Sequence, residues 1–405
     1  LLMQNPGTES VGITGILRGG KCFTVQENSN TAEVLADLLP KGSVNYDKLR
    51  IAETLEGMGI PAGLEFALDN YRLNFGTHLV SSDMPQYLDL LADVIARPAF
   101  SEEELLKAKV EWKSRYQEAL HNTRMMAWNR MRREIFPVDH PFYERSLEEQ
   151  LAELDLVGIP QLKALHEKYY SPRGLILTIV GDMEVDRTAA LIEEKFGAWT
   201  GGDIPPFNIP QAPMPAKAAR FDVPLMDKRS TDVVIAHPTD LRRLGNDFYA
   251  AKLANAALGQ DTITSKLGNV VRDRAGLTYG IHSAFSDTAH GSAPWSVSFS
   301  VNPRNVDRAI ALTHEVLLDY IDKGVEPDEL NKEIGRSVGS FTVGLASSLG
   351  IARALTEFEF LGVGYAELDN IAKKYKAVTK EQVDAAIKKY FHPEKAITVV
   401  AGTFE

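Results

Sequence analysis

At 405 residues the chain is too long for one typical hydrophobic core, which predicts two or more domains. Its 44% hydrophobic and 24% charged residues are those of an ordinary globular protein. A net charge of −11 argues against a nucleic-acid backbone or an anionic membrane as the main partner. Cys22 is the only cysteine, so an internal disulfide and a cysteine-based metal site are both excluded.

The first half of the chain predicts alternating strands and helices. Alternation of apolar and polar residues indicates strands at 11–16 and 71–80, and residues 1–5 have the pattern of a strand end. Periodic apolar residues indicate helices at 31–39, 84–95, 101–122 and 124–136. The last of these helices carries four arginines, which in an acidic protein we interpret as a solvated helix face. No apolar run approaches the length of a membrane-spanning helix.

One pattern occurs twice, with the copies 221 residues apart. Residues 168–172 (KYYSP) end a predicted helix and lead into the apolar strand 175–181. Residues 389–393 (KYFHP) lead into the strand 397–402 in the same way. Two copies of one structural unit explain this correspondence.

Five prolines fall within 201–216, which predicts a stiff, extended linker because such a segment cannot stay in a helix or a sheet. We therefore predict an N-terminal domain at 1–200 and a C-terminal domain at 217–405. The second half predicts strands at 231–236 and 295–301 and helices at 248–258, 306–320 and 327–360. Because the strand runs alternate in polarity, we expect an α+β fold in which each domain has a mostly antiparallel sheet flanked by helices.

Residues 271–280 (VRDRAGLTYG) place a cation and a phenol on the two sides of a predicted turn. Arg272 should end a helix, Gly276 should make the turn and Tyr279 should open a strand. Two donors on such a turn can converge on one point, which suits a carbonyl oxygen that gains negative charge during acyl transfer. From these residues alone, a surface ion pair and a tyrosine at the rim of the core are the simpler explanation.

Together these motifs resemble the pitrilysin-like, or insulinase, family of zinc peptidases over nearly the whole chain. Residues 31–43 (TAEVLADLLPKGS) are similar to the family's zinc helix, T-A-H-x-x-E-H-M-L-F-K-G-T. Further matches in the first half are 98–100 (PAF) and 140–142 (HPF). In the second half the family's L-G-G, S-R-L, L-R-E and G-L-A-Y runs match 258–259 (LG), 265–267 (SKL), Arg272 and 276–279 (GLTY). The resemblance implies two homologous α/β domains that form half of a clam-shell.

The sequence departs from this family at the metal site. The inverted zinc motif H-x-x-E-H stands here as EVLAD, so Glu33 and Asp37 replace the ligand imidazoles and Ala36 replaces the general-base glutamate. The family's third ligand falls at about Lys113 or Ser114. Catalytic zinc needs three protein ligands and an open position, so we expect neither a metal nor another cofactor in this chain. If the helices pack as in the family, Glu33 and Asp37 should form an ion pair with Lys113.

A chain that lacks the metal ligands but keeps Arg272 and Tyr279 resembles the non-zinc subunit of a bacterial two-chain peptidase. The resemblance implies a heterodimer with a homologous subunit that carries H-x-x-E-H and the zinc ion. Arg272 and Tyr279 would bind the backbone of an oligopeptide substrate and stabilise the oxyanion. This chain would then be inactive alone and would have no nucleic-acid or membrane partner. The single cysteine leaves the compartment open between periplasm and cytoplasm.

Two other functions fit the same fold. One is a catalytically inert structural subunit, like the degenerate core subunits of respiratory complexes, although such a chain has little reason to keep both Arg272 and Tyr279. The other is the alpha-type subunit of a mitochondrial processing peptidase, which carries a glycine-rich loop near the start of its second half. Residues 257–264 (ALGQDTIT) are not glycine-rich, and a bacterial-type pair fits better.

Histidines and hydroxyls elsewhere suggest no second chemistry. No serine, histidine and aspartate fall in a nucleophile-elbow context, and no phosphate-binding glycine loop follows a strand. Four histidines lie singly in predicted strands or helices and are interpreted as structural: His78, His166, His237 and His314. His282 and His290 lie near the Tyr279 strand, where they could approach a substrate.

Overall fold

The structure, a computed structural model, describes residues 1–24, 27–61, 63–291 and 293–404. It contains two compact units, each built from three stretches of chain. Unit 1 comprises Leu1–Ser114, Gln150–Phe207 and Thr342–Leu368, and unit 2 comprises Arg115–Glu149, Asn208–Phe341 and Asp369–Glu405. These units differ from the predicted division at 1–200, 201–216 and 217–405, because each includes a segment from the other half of the chain.

Unit 1 is organised around a five-stranded sheet. Its strands are β1 (Leu2–Gln4), β2 (Ser10–Arg18), β3 (Ala67–Leu68), β4 (Arg72–Val80) and β5 (Leu175–Gly181). They lie in the order β1-β5-β2-β4-β3, with β1 parallel to β5 and every other pair antiparallel.

Unit 2 repeats this topology strand for strand. Its strands are β6 (Ala219–Pro224), β7 (Thr231–Thr239), β8 (Thr278–Phe285), β9 (Ala293–Val301) and β10 (Ile397–Gly402). The order is β6-β10-β7-β9-β8, again with one parallel pair, β6 with β10. The α+β fold with mostly antiparallel sheets is therefore confirmed.

Fourteen α-helices flank the two sheets in the described residues. They are α1 (Asn30–Leu38), α2 (Lys48–Gly57), α3 (Met84–Ala96), α4 (Glu102–Ala119), α5 (Thr123–Ile135), α6 (Leu147–Glu153), α7 (Ile159–Tyr169), α8 (Val185–Phe196), α9 (Phe248–Asn255), α10 (Val306–Lys323), α11 (Pro327–Gly344), α12 (Ser348–Leu361), α13 (Glu367–Lys376) and α14 (Lys380–Tyr390). Helices α7 and α14 begin and end at positions 221 residues apart, which confirms the repeat.

The central strand of each sheet, β2 in unit 1 and β7 in unit 2, is buried on both faces, unlike the one-sided pattern that the sequence predicts. In unit 1, α12 packs on β2 and β5, and the hydroxyls of Thr14 and Thr356 lie 2.5 Å apart in that interface. Gly12 allows this close approach, because a Cβ there would lie 2.4 Å from the backbone Cα of Leu349. In unit 2, α5 packs on β7 and β10 in the same manner. Both covering helices come from the opposite half of the sequence.

The other face of the unit 2 sheet carries the apolar core. Trp295, Val297 and Phe299 from β9 pack there with residues of helices α9, α10 and α14. At the centre, Trp295 donates a hydrogen bond from its indole N–H to the side-chain carbonyl of buried Asn255 at 3.0 Å. Burial of these large side chains supplies the main stabilising term for the unit.

The proline-rich segment 201–216 forms neither helix nor strand, as predicted. The prediction of one long helical region at 327–360 is wrong in one respect, because the region breaks at 345–347 into α11 and α12. The Ser347 side chain caps α12 by accepting a hydrogen bond from the Gly350 N–H. In the described part of the chain no single helix is long and apolar enough to cross a membrane, although α11 and α12 taken together meet that length and composition criterion.

Candidate functional site

Helix α1 carries the segment that corresponds to a zinc motif. Glu33 is half-buried and forms an ion pair with Lys21. Asp37 accepts a hydrogen bond from the indole N–H of Trp112 at 2.8 Å. Ala36 is 5% exposed and packs in the apolar core. The two carboxylates are thus held by a cation and an N–H donor from this same unit.

Lys113 does not reach these carboxylates, so the predicted ion pair is wrong. Its ammonium lies 2.8 Å from a carboxylate oxygen of Asp155 instead. Adjacent residues on an α-helix point about 100° apart, so on α4 Trp112 can face α1 only if Lys113 faces elsewhere. The indole N–H of Trp112 occupies the place that the ammonium was expected to take.

The residues of α1 do not fit a zinc ion. Catalytic zinc takes three protein ligands, and neither Lys113 nor Ser114 offers the carboxylate that would complete a set with Glu33 and Asp37. Across residues 1–24, 27–61, 63–291 and 293–404, no group of three or more His, Cys, Asp and Glu side chains is arranged to hold a metal.

The Arg272–Tyr279 stretch forms the predicted helix, turn and strand. A π-helical segment, Gly268–Arg274, contains Arg272, and β8 begins at Thr278. Between them Gly276 has φ +63°, a left-handed conformation that glycine adopts readily. The wide π-helical turn is a feature that proteins often place at functional sites.

The turn brings Arg272 against the backbone of Tyr279. Its Nε–H donates a hydrogen bond to the Tyr279 carbonyl at 3.1 Å, and its Nη1 contacts the carboxylate of Asp273. The Tyr279 side chain is 99% exposed. Arg272 therefore fixes the backbone that carries the phenol, and the phenol itself projects into solvent.

Side chains cover the outer edge of β8, the last strand of its sheet. Backbone groups of Tyr279, Ile281 and Ser283 form hydrogen bonds with side chains on this edge. Besides the Arg272 bond, Ile281 N–H donates to the Thr262 hydroxyl at 2.8 Å, and Asn255 donates to the Ser283 carbonyl at 2.9 Å. Paired in this way, the edge offers few free groups to an added strand, while Tyr279 stays exposed.

A cleft of about 320 Å³ lies beside Tyr279, wholly within unit 2. We call it the Tyr279 cleft, and its polar and aromatic lining residues include Arg124, Trp128, Asp232, Tyr279 and His282. The Thr123 hydroxyl donates to the Asp232 carboxylate at 2.6 Å and holds it in place. The structure thus brings His282 to the site but does not place His290 in the lining of this cleft.

Sequence reasoning missed Arg124, Trp128 and Asp232. The sequence predicts a solvated face for the helix that carries Arg124, but that helix is α5, which packs on the sheet of unit 2. Arg124 and Trp128 are four residues apart, so they share one face of α5. This spacing was visible in the sequence, but which sheet the face meets was not.

The four histidines interpreted as structural have ordinary environments. The Nε2–H of buried His166 donates to the Ile95 carbonyl at 2.7 Å, and His78 contacts the Ser10 hydroxyl at 3.1 Å. Burial lowers the pKa of His166, of His314 and of His237, the last to about 4, so all three are neutral at pH 7.

Two sequence profiles of one peptidase family match this chain. The profile described as insulinase (peptidase family M16) matches residues 1–137, and the one described as peptidase M16 inactive domain matches residues 157–336. The chain belongs to the M16 family. This confirms the resemblance that the motifs indicate.

Two bacterial proteins resemble this chain along most of its length. An uncharacterized zinc protease of Mycobacterium tuberculosis (strain H37Rv) is 23% identical over 368 residues, which cover 88% of this chain and 80% of the relative. An uncharacterized zinc protease of Bacillus subtilis (strain 168) is 21% identical over 411 residues, with coverage of 99% and 95%.

Solved structures share the fold. A peptidase M16 inactive domain from Pseudomonas fluorescens superposes with a TM-score of 0.89 at 21% identity, covering 100% of this chain and 95% of that one. A protease from Helicobacter pylori gives a TM-score of 0.85 at 15% identity, with coverage of 99% and 96%. At these identities the likeness concerns the fold, and the site must be argued from its own residues.

Proposed function

We propose that this M16 chain is the metal-free subunit of a heterodimeric zinc metallopeptidase that cleaves oligopeptides. In the assembled enzyme a homologous H-x-x-E-H subunit would supply the metal and the general base. This chain would supply Arg272 and Tyr279, which bind the peptide backbone and stabilise the oxyanion.

The observation that carries the proposal is the contrast between helix α1 and strand β8. On α1, the carboxylates of Glu33 and Asp37 are engaged by Lys21 and Trp112, which supports a metal-free role for this helix. On β8, the phenol of Tyr279 is almost fully exposed. A tyrosine side chain with that exposure, on a backbone held by Arg272, is placed to contact a partner or a substrate rather than to pack in the core.

Arg272 keeps donors for a substrate in addition to those that fix the turn. A guanidinium carries five N–H donors, and the Tyr279 carbonyl and the Asp273 carboxylate engage only Nε and Nη1. In the described residues, Nη2 has no hydrogen-bond partner. The carbonyl of Tyr279 therefore orients a group whose remaining N–H donors can point at a peptide oxygen.

The test is a reconstitution with a zinc-bearing partner, for which a neighbouring reading frame that encodes H-x-x-E-H is the first candidate. Peptide cleavage is measured for this chain alone, for the partner alone and for the mixture, with and without chelator. We expect cleavage only from the mixture, and its loss on chelation. Activity from this chain alone would overturn the proposal, and a mixture no more active than the partner would identify an inert structural subunit.

A further inference from the structure

Three helices of unit 1 end at one cleft of about 750 Å³, which the proposed peptidase role does not use. We call it the helix-end cleft. Its lining includes residues in or just after the last turns of α3 (Asp93, Arg97), α7 (His166, Tyr170) and α8 (Glu194). Helix C-termini carry partial negative charge, so three of them at one place favour a bound cation.

The charged side chains around the cleft add to this preference. Four carboxylates and two cations line it, the cations being Arg97 and Lys195. Arg97 pairs with Asp93, and the ammonium of Lys195 lies 2.8 Å from the carboxylate of Asp89 and 3.0 Å from that of Glu194. Both cations are therefore already neutralised.

Glu167 is the one carboxylate of these four that neither Arg97 nor Lys195 pairs with. It is exposed on α7 and lines the cleft, and no cation or hydrogen-bond donor pairs with it in the described part of the chain. The net charge available to a ligand is therefore negative.

One buried polar group in the cleft wall lacks a partner. Tyr170 is 1% exposed, and its hydroxyl has no hydrogen-bond partner among the described residues. His166 is 8% exposed, and its Nε2–H is committed to the Ile95 carbonyl, which can only accept. Its Nδ1 is then a hydrogen-bond acceptor. An unmet buried hydroxyl is costly, so the Tyr170 position suits a polar ligand, and the Nδ1 of His166 suits one that donates hydrogen bonds.

We propose that the helix-end cleft binds a small organic polycation of the polyamine class. Its ammonium groups carry only donors, and the cleft offers the acceptors: the Glu167 and Glu194 carboxylates, the Nδ1 of His166 and the Tyr170 hydroxyl. The volume lies in the range that small-molecule sites occupy. The half-buried ring of Trp199 at the rim adds a surface on which an ammonium group can rest.

An inorganic or carboxylate anion is the opposite alternative, and the contacts argue against it. An anion would need Arg97 or Lys195, and each would have to leave a carboxylate at which it is already paired. The anion would also face three helix C-termini and an unpaired Glu167.

Spermidine titrated into this chain at physiological salt, with binding measured by calorimetry, tests the proposal. We expect one site per chain. The variant Glu167→Gln should weaken binding by roughly tenfold, because it removes one charge-assisted hydrogen bond. The matched control Glu193→Gln removes the same charge from an exposed position of α8 that does not line the cleft, and should change affinity less than twofold (about the effect of a screened surface charge).

The variant Tyr170→Phe separates a binding site from mere surface attraction. It removes a buried hydroxyl without a partner, so it should raise the melting temperature while it weakens spermidine binding. Hexamethonium, whose quaternary nitrogens carry no N–H, should bind more weakly than spermidine. Absence of binding at millimolar spermidine would overturn the proposal. So would several equivalent sites per chain, or equal losses in Glu167→Gln and Glu193→Gln.

Discussion

The Nε–H of Arg272 donates to the backbone carbonyl of Tyr279, at 3.1 Å and across a turn that Gly276 makes with φ +63°. This bond ties the cation to the main chain of the tyrosine and leaves the phenol free. If the pair serves a site on another subunit, the two residues have separable roles. The phenol would contact the substrate, while the guanidinium would both support β8 and donate.

Removing the phenol hydroxyl should impair catalysis without harming the fold. In the reconstituted enzyme we expect Tyr279→Phe to lower kcat by about 10²-fold, the usual effect of losing one oxyanion donor. Stability should be unchanged, because the side chain is 99% exposed. The control is Tyr365→Phe, which alters another exposed tyrosine and should retain full turnover. Turnover of Tyr279→Phe within a factor of about two would contradict the catalytic role.

Replacing the guanidinium by an ammonium should also reduce turnover. In Arg272→Lys a single nitrogen can serve either the Tyr279 carbonyl or the substrate, but its geometry does not allow both. We expect kcat to fall by about tenfold or more, as for the loss of one charge-assisted hydrogen bond. Arg274→Lys, two residues further along and exposed, is the control. Equal kinetics for the two variants would show that the fork geometry of Arg272 has no role.

A chelator should not destabilise this chain. A metal bound to the folded state at about 100 times its Kd would add about 2.7 kcal/mol, which a chelator would remove. Since Lys21 and Trp112 engage the carboxylates of α1, we expect the same melting temperature with and without 1,10-phenanthroline. A clear drop in melting temperature, with zinc found by elemental analysis, would contradict the absence of a zinc site on α1.

Buried His237 should make the protein less stable in mild acid. Its Nε2 accepts from the His392 N–H at 3.2 Å, and its Nδ1 lies 3.0 Å from the Pro238 carbonyl, so the ring is held neutral. Burial lowers its pKa from 6.5 to about 4. Between these values, as pH falls, the unfolded chain binds a proton that the folded chain refuses, and the free energy of unfolding decreases by up to about 3 kcal/mol.

Urea unfolding at about pH 7.5 and about pH 5 measures this effect. Burial also lowers the pKa values of His166 and His314, so they contribute in the same direction. The variant His237→Gln isolates the contribution of His237, and its free energy of unfolding should vary less with pH than that of the parent. His121→Gln, at an exposed position, should leave the pH dependence as it is. An identical slope for His237→Gln and the parent would rule out His237 as a source.

The packing of α12 on β2 predicts a position that tolerates no side chain. Gly12→Ala would place a Cβ 2.4 Å from the Cα of Leu349, so the helix must shift, at a cost of about 1–3 kcal/mol. Gly335→Ala, in α11 with open space around it, should instead stabilise by a few tenths of a kcal/mol to about 1 kcal/mol. Chemical denaturation of both variants provides the measurement. A neutral Gly12→Ala would mean that α12 does not pack this tightly.

Local patterns in the sequence predicted the elements that depend on neighbours in the chain. The repeat placed α7 and α14 at matching positions, and the Arg272–Tyr279 turn formed where glycine and periodicity indicated it. Both depend on apolar spacing and on the freedom of one glycine, which a single sequence displays.

Contacts between distant segments could not be predicted in the same way. The sequence around Lys113 does not indicate that Lys113 pairs with Asp155 rather than with the carboxylates of α1. Likewise the face of α5 that bears Arg124 and Trp128 has the composition of a solvated surface, and only its place against β7 turns it into the wall of a cleft. Side-chain direction on a helix follows from spacing, but the identity of the opposing surface is a tertiary property.

Helices α5 and α12 each pack on the sheet that the other half of the sequence forms. The two halves of this chain therefore cannot be separated at the proline-rich segment. A fragment ending there would lack the cover over β2 and β5, and the complementary fragment would lack the one over β7 and β10. Each fragment would then expose to water one face of its central strands that is buried in the intact chain, an arrangement that promotes aggregation. The duplication visible in the sequence has therefore produced two mutually dependent partners rather than two autonomous modules.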